Sequence, residues 1–250
     1  ISSTSSHLFL FFITLWICNQ DCAESTSAKE QVGEVVSAAL SSLDNVPETA
    51  IIRTENHLII EREISKPDAS YVAVHFDSFL LLEDEELLIF NGRGEQQYIL
   101  TGEGKPGSGG TFWAQHVKGS IMILQLWVPA GSDMSQPRFT IDQEAFGFPT
   151  AELGSSRNLA ADENPVRRLF QTESTCGGDD RAQAKCYEQS HSDKYTQSRA
   201  VARLLIQGAW LCTGWLASND DHLITNSHCI EDYSDALNTD YEFEAEAPDC

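Results

Sequence analysis

The sequence predicts an all-β protein in two parts, and three observations carry that expectation. From residue 50 to residue 143 apolar residues recur with a period of two, broken by turn residues at intervals of about 8–12. Near the C-terminal end, a second group of apolar stretches, at 199–207, 210–218 and 222–226, carries Cys212 and, just beyond it, Cys229. The seven cysteines, at 18, 22, 176, 186, 212, 229 and 250, leave the first strand-rich region without any, while the second is crowded with them. An exported chain with a cross-linked C-terminal part has that distribution.

In chain order, His7 to Cys18 is an apolar run of signal-peptide length, with small residues at Cys22-Ala23; it is shorter than the roughly 20 residues a spanning helix needs. Residues 1–23 are expected to be a secretory signal, whose cleavage removes Cys18 and Cys22 and leaves five cysteines, an odd number. A buried core segment is the plainer alternative. Ser27 to Glu30 forms a capping-box pattern, and Val32, Val35, Val36, Ala39, Leu40 and Leu43 follow at helical spacing. One short amphipathic helix is expected over 28–43, stopped by Asp44-Asn45 and Pro47.

Strands are expected at 50–53, 57–63, 71–79, 86–90, 96–100, 111–116, 121–128 and 138–143, with Asn91-Gly92, residues 105–110, Lys118-Gly119 and residues 129–131 as turns. In 71–79, Tyr71, Ala73 and His75 share one face and Val72, Val74 and Phe76 the other. Short antiparallel strands of this kind make a β-sandwich of jelly-roll or CUB-like type, so 24–144 reads as a pro-region or accessory sandwich domain. Gly107-Ser-Gly-Gly110 is similar to part of a serine-protease nucleophile motif, but it lacks the aspartate and precedes His228 in the chain; it reads as a turn. Glu83 to Glu86 could offer oxygens to calcium, yet reads better as a solvated acidic turn.

Residues 145–175, rich in Gly, Pro, Asn and Ser, read as a linker. Within it Arg167-Arg168 is a dibasic pair open to a processing protease, or a solvated charge pair with no such role. The net charge of −22 disfavours nucleic acid and anionic membranes as partners.

Chemistry concentrates at Cys212-Thr-Gly-Trp-Leu216 and Thr225-Asn-Ser-His-Cys229. This pair resembles the segment around the catalytic histidine of trypsin/chymotrypsin-like serine proteases. There a Cys-Xaa-Gly-Xaa-Leu strand is disulfide-bonded to the cysteine of Thr-Ala-Ala-His-Cys. The resemblance implies that His228 is the general base and that a Cys212–Cys229 bond fixes its backbone. Asn226-Ser227 stands where the family has Ala-Ala. A zinc site and a structural disulfide beside an incidental histidine are the other readings; structural zinc needs four closely spaced ligands, and no Cys-Xaa-Xaa-Cys occurs.

Residues 176–250 are closest in pattern to the lysyl-endopeptidase group, through Cys176 and Cys186, Arg199-Ala-Val, and Cys250 after an aromatic-containing strand. That likeness implies a Cys186–Cys250 bond and a partner for Cys176 outside this sequence. In Tyr241 to Ala247, apolar residues alternate with outward glutamates. The family's triad runs His, Asp, Ser, and Asp232, Asp235 and Asp240 come too soon after His228 to be its aspartate. The expected protein is therefore a secreted serine endopeptidase acting on protein or peptide substrates, represented by its N-terminal portion, which is inactive by itself; no metal or organic cofactor is implied. The rival is a secreted protein whose sandwich binds a carbohydrate or a protein, joined to a non-catalytic protease-like remnant.

Overall fold

The computed structural model describes residues 29–149, 182–245 and 250. The expected signal segment, Arg167-Arg168, Cys176 and most of the expected linker lie outside these residues. The described chain is all-β, with fifteen strands in three antiparallel sheets and only short helices between them.

Two sheets form the sandwich. The first has the order β3 (Ile51–Arg53), β4 (His57–Ser65), β10 (Ile121–Pro129), β6 (Glu86–Asn91), β7 (Gln97–Leu100). The second has the order β2 (Gly33–Ser41), β11 (Phe139–Gly147), β5 (Tyr71–Phe79), β8 (Phe112–Trp113), with β9 (Val117–Lys118) also on β5. Alternation decides what each strand buries. Met122, Leu124, Leu126 and Val128 of β10 face Val72, Val74 and Phe76 of β5 in one core, with Leu87 and Ile89 of β6 beside them. At one end Phe76, Phe79, Phe112 and Phe139 interlock, with neighbouring centroids 4.9–5.4 Å apart along the contacts of Phe76. Edge-to-face pairs of this kind add to the area they bury.

The predicted strand 71–79 is found with those bounds, and the other expected sandwich strands, 111–116 apart, lie within a few residues of expectation. The helix expected over 28–43 is instead strand β2, preceded by a two-residue strand, β1 (Glu30–Gln31). The apolar spacing there fits a helix, but β-branched Val35 and Val36 also suit a strand, and pairing along β11 satisfies the backbone. β2 carries one extra residue opposite Ile141–Gln143; Ala38 and Leu40, two apart and so on one face, pack against the core, while Val35 and Val36 stay exposed. Gly33 has no room for a side chain: a Cβ would sit 2.7 Å from the Phe146 carbonyl oxygen. The segment 111–116 is not one strand; only Phe112–Trp113 of it pairs, as β8, and β9 follows at Val117. The linker expected from residue 145 begins inside β11, where Ala145 and Phe146 are buried.

Nor is the 83–86 turn simply a solvated acidic loop. Glu85 is buried and holds Arg138 through two bonds, Arg138 Nε to Oε2 at 2.6 Å and Nη2 to Oε1 at 2.7 Å. That bidentate pair raises the Arg138 pKa, the hydrogen bond to Glu85 outweighing burial.

The third sheet contains β12 (Val201–Ile206), β13 (Trp210–Leu216), β14 (Leu223–Thr225) and β15 (Thr239–Phe243). Its order is β1, β13, β12, β15, with β14 also on β13; among the described residues it is an open sheet, not a closed barrel. One face buries Ala202, Leu204, Ile206 and Cys229, joined by Cys212, Leu223 and Tyr241. The other face carries Leu205 and Leu211, which pack on Val32 and Tyr71 of the sandwich region. The sandwich thus has two apolar surfaces on β5: Val72, Val74 and Phe76 face inward, and Tyr71 and Ala73 face out towards its neighbours in sheet and chain.

Candidate histidine site

β13 and β14 run antiparallel, with Gly214 opposite Thr225 and Trp215 opposite Ile224. Gly214 permits that approach, since a Cβ there would lie 3.0 Å from the Ile224 carbonyl oxygen. Thr225 Oγ1 donates to the Thr213 carbonyl oxygen at 2.8 Å, fixing the end of β14. The chain then turns: the carbonyl of Asn226 accepts from Cys229 N at 2.9 Å and Ile230 N at 3.4 Å. This turn brings Cys229 back over β13, where it is bonded to Cys212 with a Cα separation of 6.1 Å. Cys229 is buried in the small core, His228 is half-buried on the turn, and Asn226 and Ser227 are exposed.

The disulfide Cys186–Cys250 is also present, with Cα atoms 4.7 Å apart. Cys186 lies in a 3-10 turn, Ala184–Tyr187, which the sequence had not suggested; a helix, Ser192–Ser198, leads from it to β12.

Cys212, His228 and Cys229 come together in the manner of a metal group, their ligand atoms within 4.8 Å of one another. Both sulfurs belong to the disulfide, so neither is the thiolate that a zinc ion requires. Only the imidazole remains as a donor.

Asp232, Asp235 and Asp240, the described aspartates after His228, each have another task. Asp232 caps the helix Tyr233–Leu237, its side chain accepting from Asp235 N at 2.9 Å. Asp235 accepts from Glu231 N at 3.1 Å and from Gln207 Nε2 at 3.0 Å, and pairs with Lys29 at 3.5 Å. Asp240 accepts from the backbone N of His116 at 3.0 Å and lies 2.6 Å from His116 Nδ1. Among the described residues, none of them pairs with His228. Ser108, in the Gly107–Gly110 segment, donates to the Glu103 carbonyl within a turn of the sandwich. The turn reading of that segment holds.

What the sequence did not suggest is how closely this sheet is bound to the sandwich. Tyr71 Oη donates to the Gly208 carbonyl at 2.8 Å, and Trp113 N donates to Asn238 Oδ1 at 3.2 Å. Burial pushes the Tyr71 hydroxyl far above the usual phenol range. Gly208, at φ +73°, rests on the Trp113 ring and Ala145, leaving no space for a Cβ. His116 is buried and Asp240 half-buried beside it, and Glu242 lies between His116, Lys118 and Arg203. Burial alone would raise the Glu242 pKa, but the Arg203 charge, the Lys118 hydrogen bond and His116 bring it below the ordinary value. The glutamate expected to face solvent therefore faces the sandwich. β15 ends at Phe243, short of the alternation expected to Ala247. Pairing between residues 124 positions apart leaves no signal in spacing.

Among known proteins, the secreted RxLR effector protein 73 of Plasmopara viticola is 31% identical to this chain over 190 residues, covering 73% of the chain and 44% of that protein. The chain therefore spans less than half the length of this relative. No family model and no solved structure matches the chain. Among the described residues, no helix is long and apolar enough to cross a membrane.

Proposed function

We propose that this is an exported protein bearing the histidine-carrying half of a trypsin-like serine endopeptidase, with His228 as the general base. The observation that carries this reading is the Cys212–Cys229 bond, which closes the β13–β14 return directly beside a half-buried His228. A base that must meet a nucleophile within hydrogen-bond reach gains from a backbone fixed one residue away. In the complete enzyme His228 takes the proton from a serine hydroxyl and passes it to the leaving amine of a protein or peptide substrate, through an acyl-enzyme. The orienting aspartate, the serine and the specificity pocket are assigned to sequence beyond Cys250. Export is supported by the apolar segment before Ala23, by two disulfides and by the likeness to a protein named as a secreted effector. No metal or organic cofactor is needed for the chemistry.

A second reading has its own support: Asn226-Ser227 stands where the protease pattern has Ala-Ala, and the relative is named as an effector. On that reading the protein is a secreted binding protein, its sandwich recognising a protein or carbohydrate beside a protease-like remnant. The test is to express the protein from its full gene and expose the secreted product to a fluorophosphonate. Labelling lost in His228→Ala supports the endopeptidase; a folded, secreted product that takes no label supports the binding protein.

A further inference from the structure

We propose that the sandwich is a positioning device for the His228 loop, acting through the glycine-rich turn at residues 103–110, with Lys105 as the residue that grips the segment after the histidine. This deepens the reading of His228 as a base and rests on it for its catalytic consequence, but its structural content stands apart.

Downstream of Cys229 the chain passes through Ile230 and Glu231 into the helix Tyr233–Leu237, then returns as β15 beside β12. The last carbonyls of any helix lack partners within it and carry the negative end of its dipole. Here that end is met by a cation from the sandwich: Lys105 Nζ donates to the Leu237 carbonyl, and to the Thr239 carbonyl at 2.9 Å. Burial lowers the Lys105 pKa, and the charge of Asp240 partly offsets that effect.

Glycine makes this reach feasible. Gly104, Gly107 and Gly110 all have positive φ, at +78°, +77° and +83°. A Cβ on Gly110 would lie 2.5 Å from the Phe79 carbonyl oxygen, so the turn is seated on the end of β5. At its other side a Cβ on Gly107 would meet Tyr233 Oη at 2.8 Å. The segment that imitates a nucleophile motif in the sequence is thus the contact between the sandwich and the helix after His228.

Two further contacts hold the same stretch. Trp113 N donates to Asn238 Oδ1, and Lys29, from the arm before β1, pairs with Asp235, which itself accepts from Glu231 N. Upstream, β14 has three residues and β13 as its one partner among the described residues. The His228 loop is therefore fixed from three sides: by its disulfide, by the short hairpin before it and by sandwich groups after it. Displacement of a general base by about 1 Å is enough to cost on the order of a hundredfold in rate, so a grip on this loop bears on catalysis.

The test uses the protein from its full gene. Hydrogen exchange is measured on wild type, Lys105→Met, Lys105→Arg and Asp235→Asn. Lys105→Met and Asp235→Asn are expected to speed exchange of amides 229–238 by about tenfold or more, with β4 and β10 unchanged, and Lys105→Arg to restore protection because a guanidinium can also donate to two carbonyls. In the labelling-competent enzyme, Lys105→Met lowers kcat with KM unchanged, and Lys105→Arg recovers it. Unchanged exchange at 229–238, or loss of protection spread evenly through the sandwich, overturns the positioning role. Faster exchange at 229–238 in a protein that takes no fluorophosphonate keeps the positioning role and removes the endopeptidase reading instead.

Discussion

The sandwich and the C-terminal sheet solve the same stability problem with different means. The sandwich encloses a deep core between two sheets, with Phe76, Phe112, Phe139, Leu87, Met122 and Leu124 all fully buried, and the sequence places no cysteine there. The C-terminal sheet buries chiefly Ala202, Leu204, Ile206 and Cys229 on one face, carries two disulfides, and rests its other face on the sandwich. Burial of apolar area supplies most of the drive to fold, and a small sheet with one shallow core has little of it. Cross-links and docking supply the remainder. The same difference explains why both proposed functional features, the fixed histidine and the grip of Lys105, serve the part that cannot rely on its own core.

The largest way to break this contrast is inside the sandwich. Glu85→Ala leaves Arg138 as a buried, unpaired charge and is expected to destabilise the protein by about 3–5 kcal/mol, read as a lower denaturation midpoint. A loss under about 1 kcal/mol, in the range of an exposed pair, would show that water compensates the guanidinium and that the sandwich is more open than its packing implies.

Next is the paired change Cys212→Ser and Cys229→Ser. Opening a 17-residue loop is expected to cost roughly 3 kcal/mol and to fall on the C-terminal sheet. Amides of β12 and β13 should lose protection while those of β4 and β10 keep theirs. Equal loss in both regions would mean that the sheet does more to hold the sandwich than the reverse.

A smaller effect is expected from Tyr71→Phe, which removes one hydrogen bond and strands the Gly208 carbonyl at the interface, at a cost of about 1–3 kcal/mol. The smallest is a pH effect on the same interface. Glu242 has a folded pKa below its ordinary value, so its stabilising contribution is complete above that value and is lost as pH falls through the depressed one. Acidification should loosen β15 from β9 and β12 before the sandwich core opens, and Glu242→Gln should flatten that part of the profile.

Much of the sandwich was legible because alternation and turns are local. Tyr71–Phe79 could be bounded, and its two faces assigned, from nine residues alone. The first element was misread because Val32 to Leu43 satisfies a helical period, and nothing local shows that β11 offers it a pairing edge. At the candidate site, the Cys212–Cys229 and Cys186–Cys250 bonds were foreseen from a family likeness, not from periodicity. Lys105, His116 and Asp240 could not be foreseen in the same way. Their roles arise where two separately patterned regions meet, and each looks, in its own segment, like an ordinary surface charge.

The most direct test of the dependence of the histidine-bearing sheet on the sandwich is calorimetry of the full-length protein with its disulfides intact. One cooperative unfolding transition is expected in the wild type, dividing in two in a His116→Ala, Lys105→Met double variant. Two separate transitions already present in the wild type would contradict that dependence, since the sheet would then fold without the sandwich.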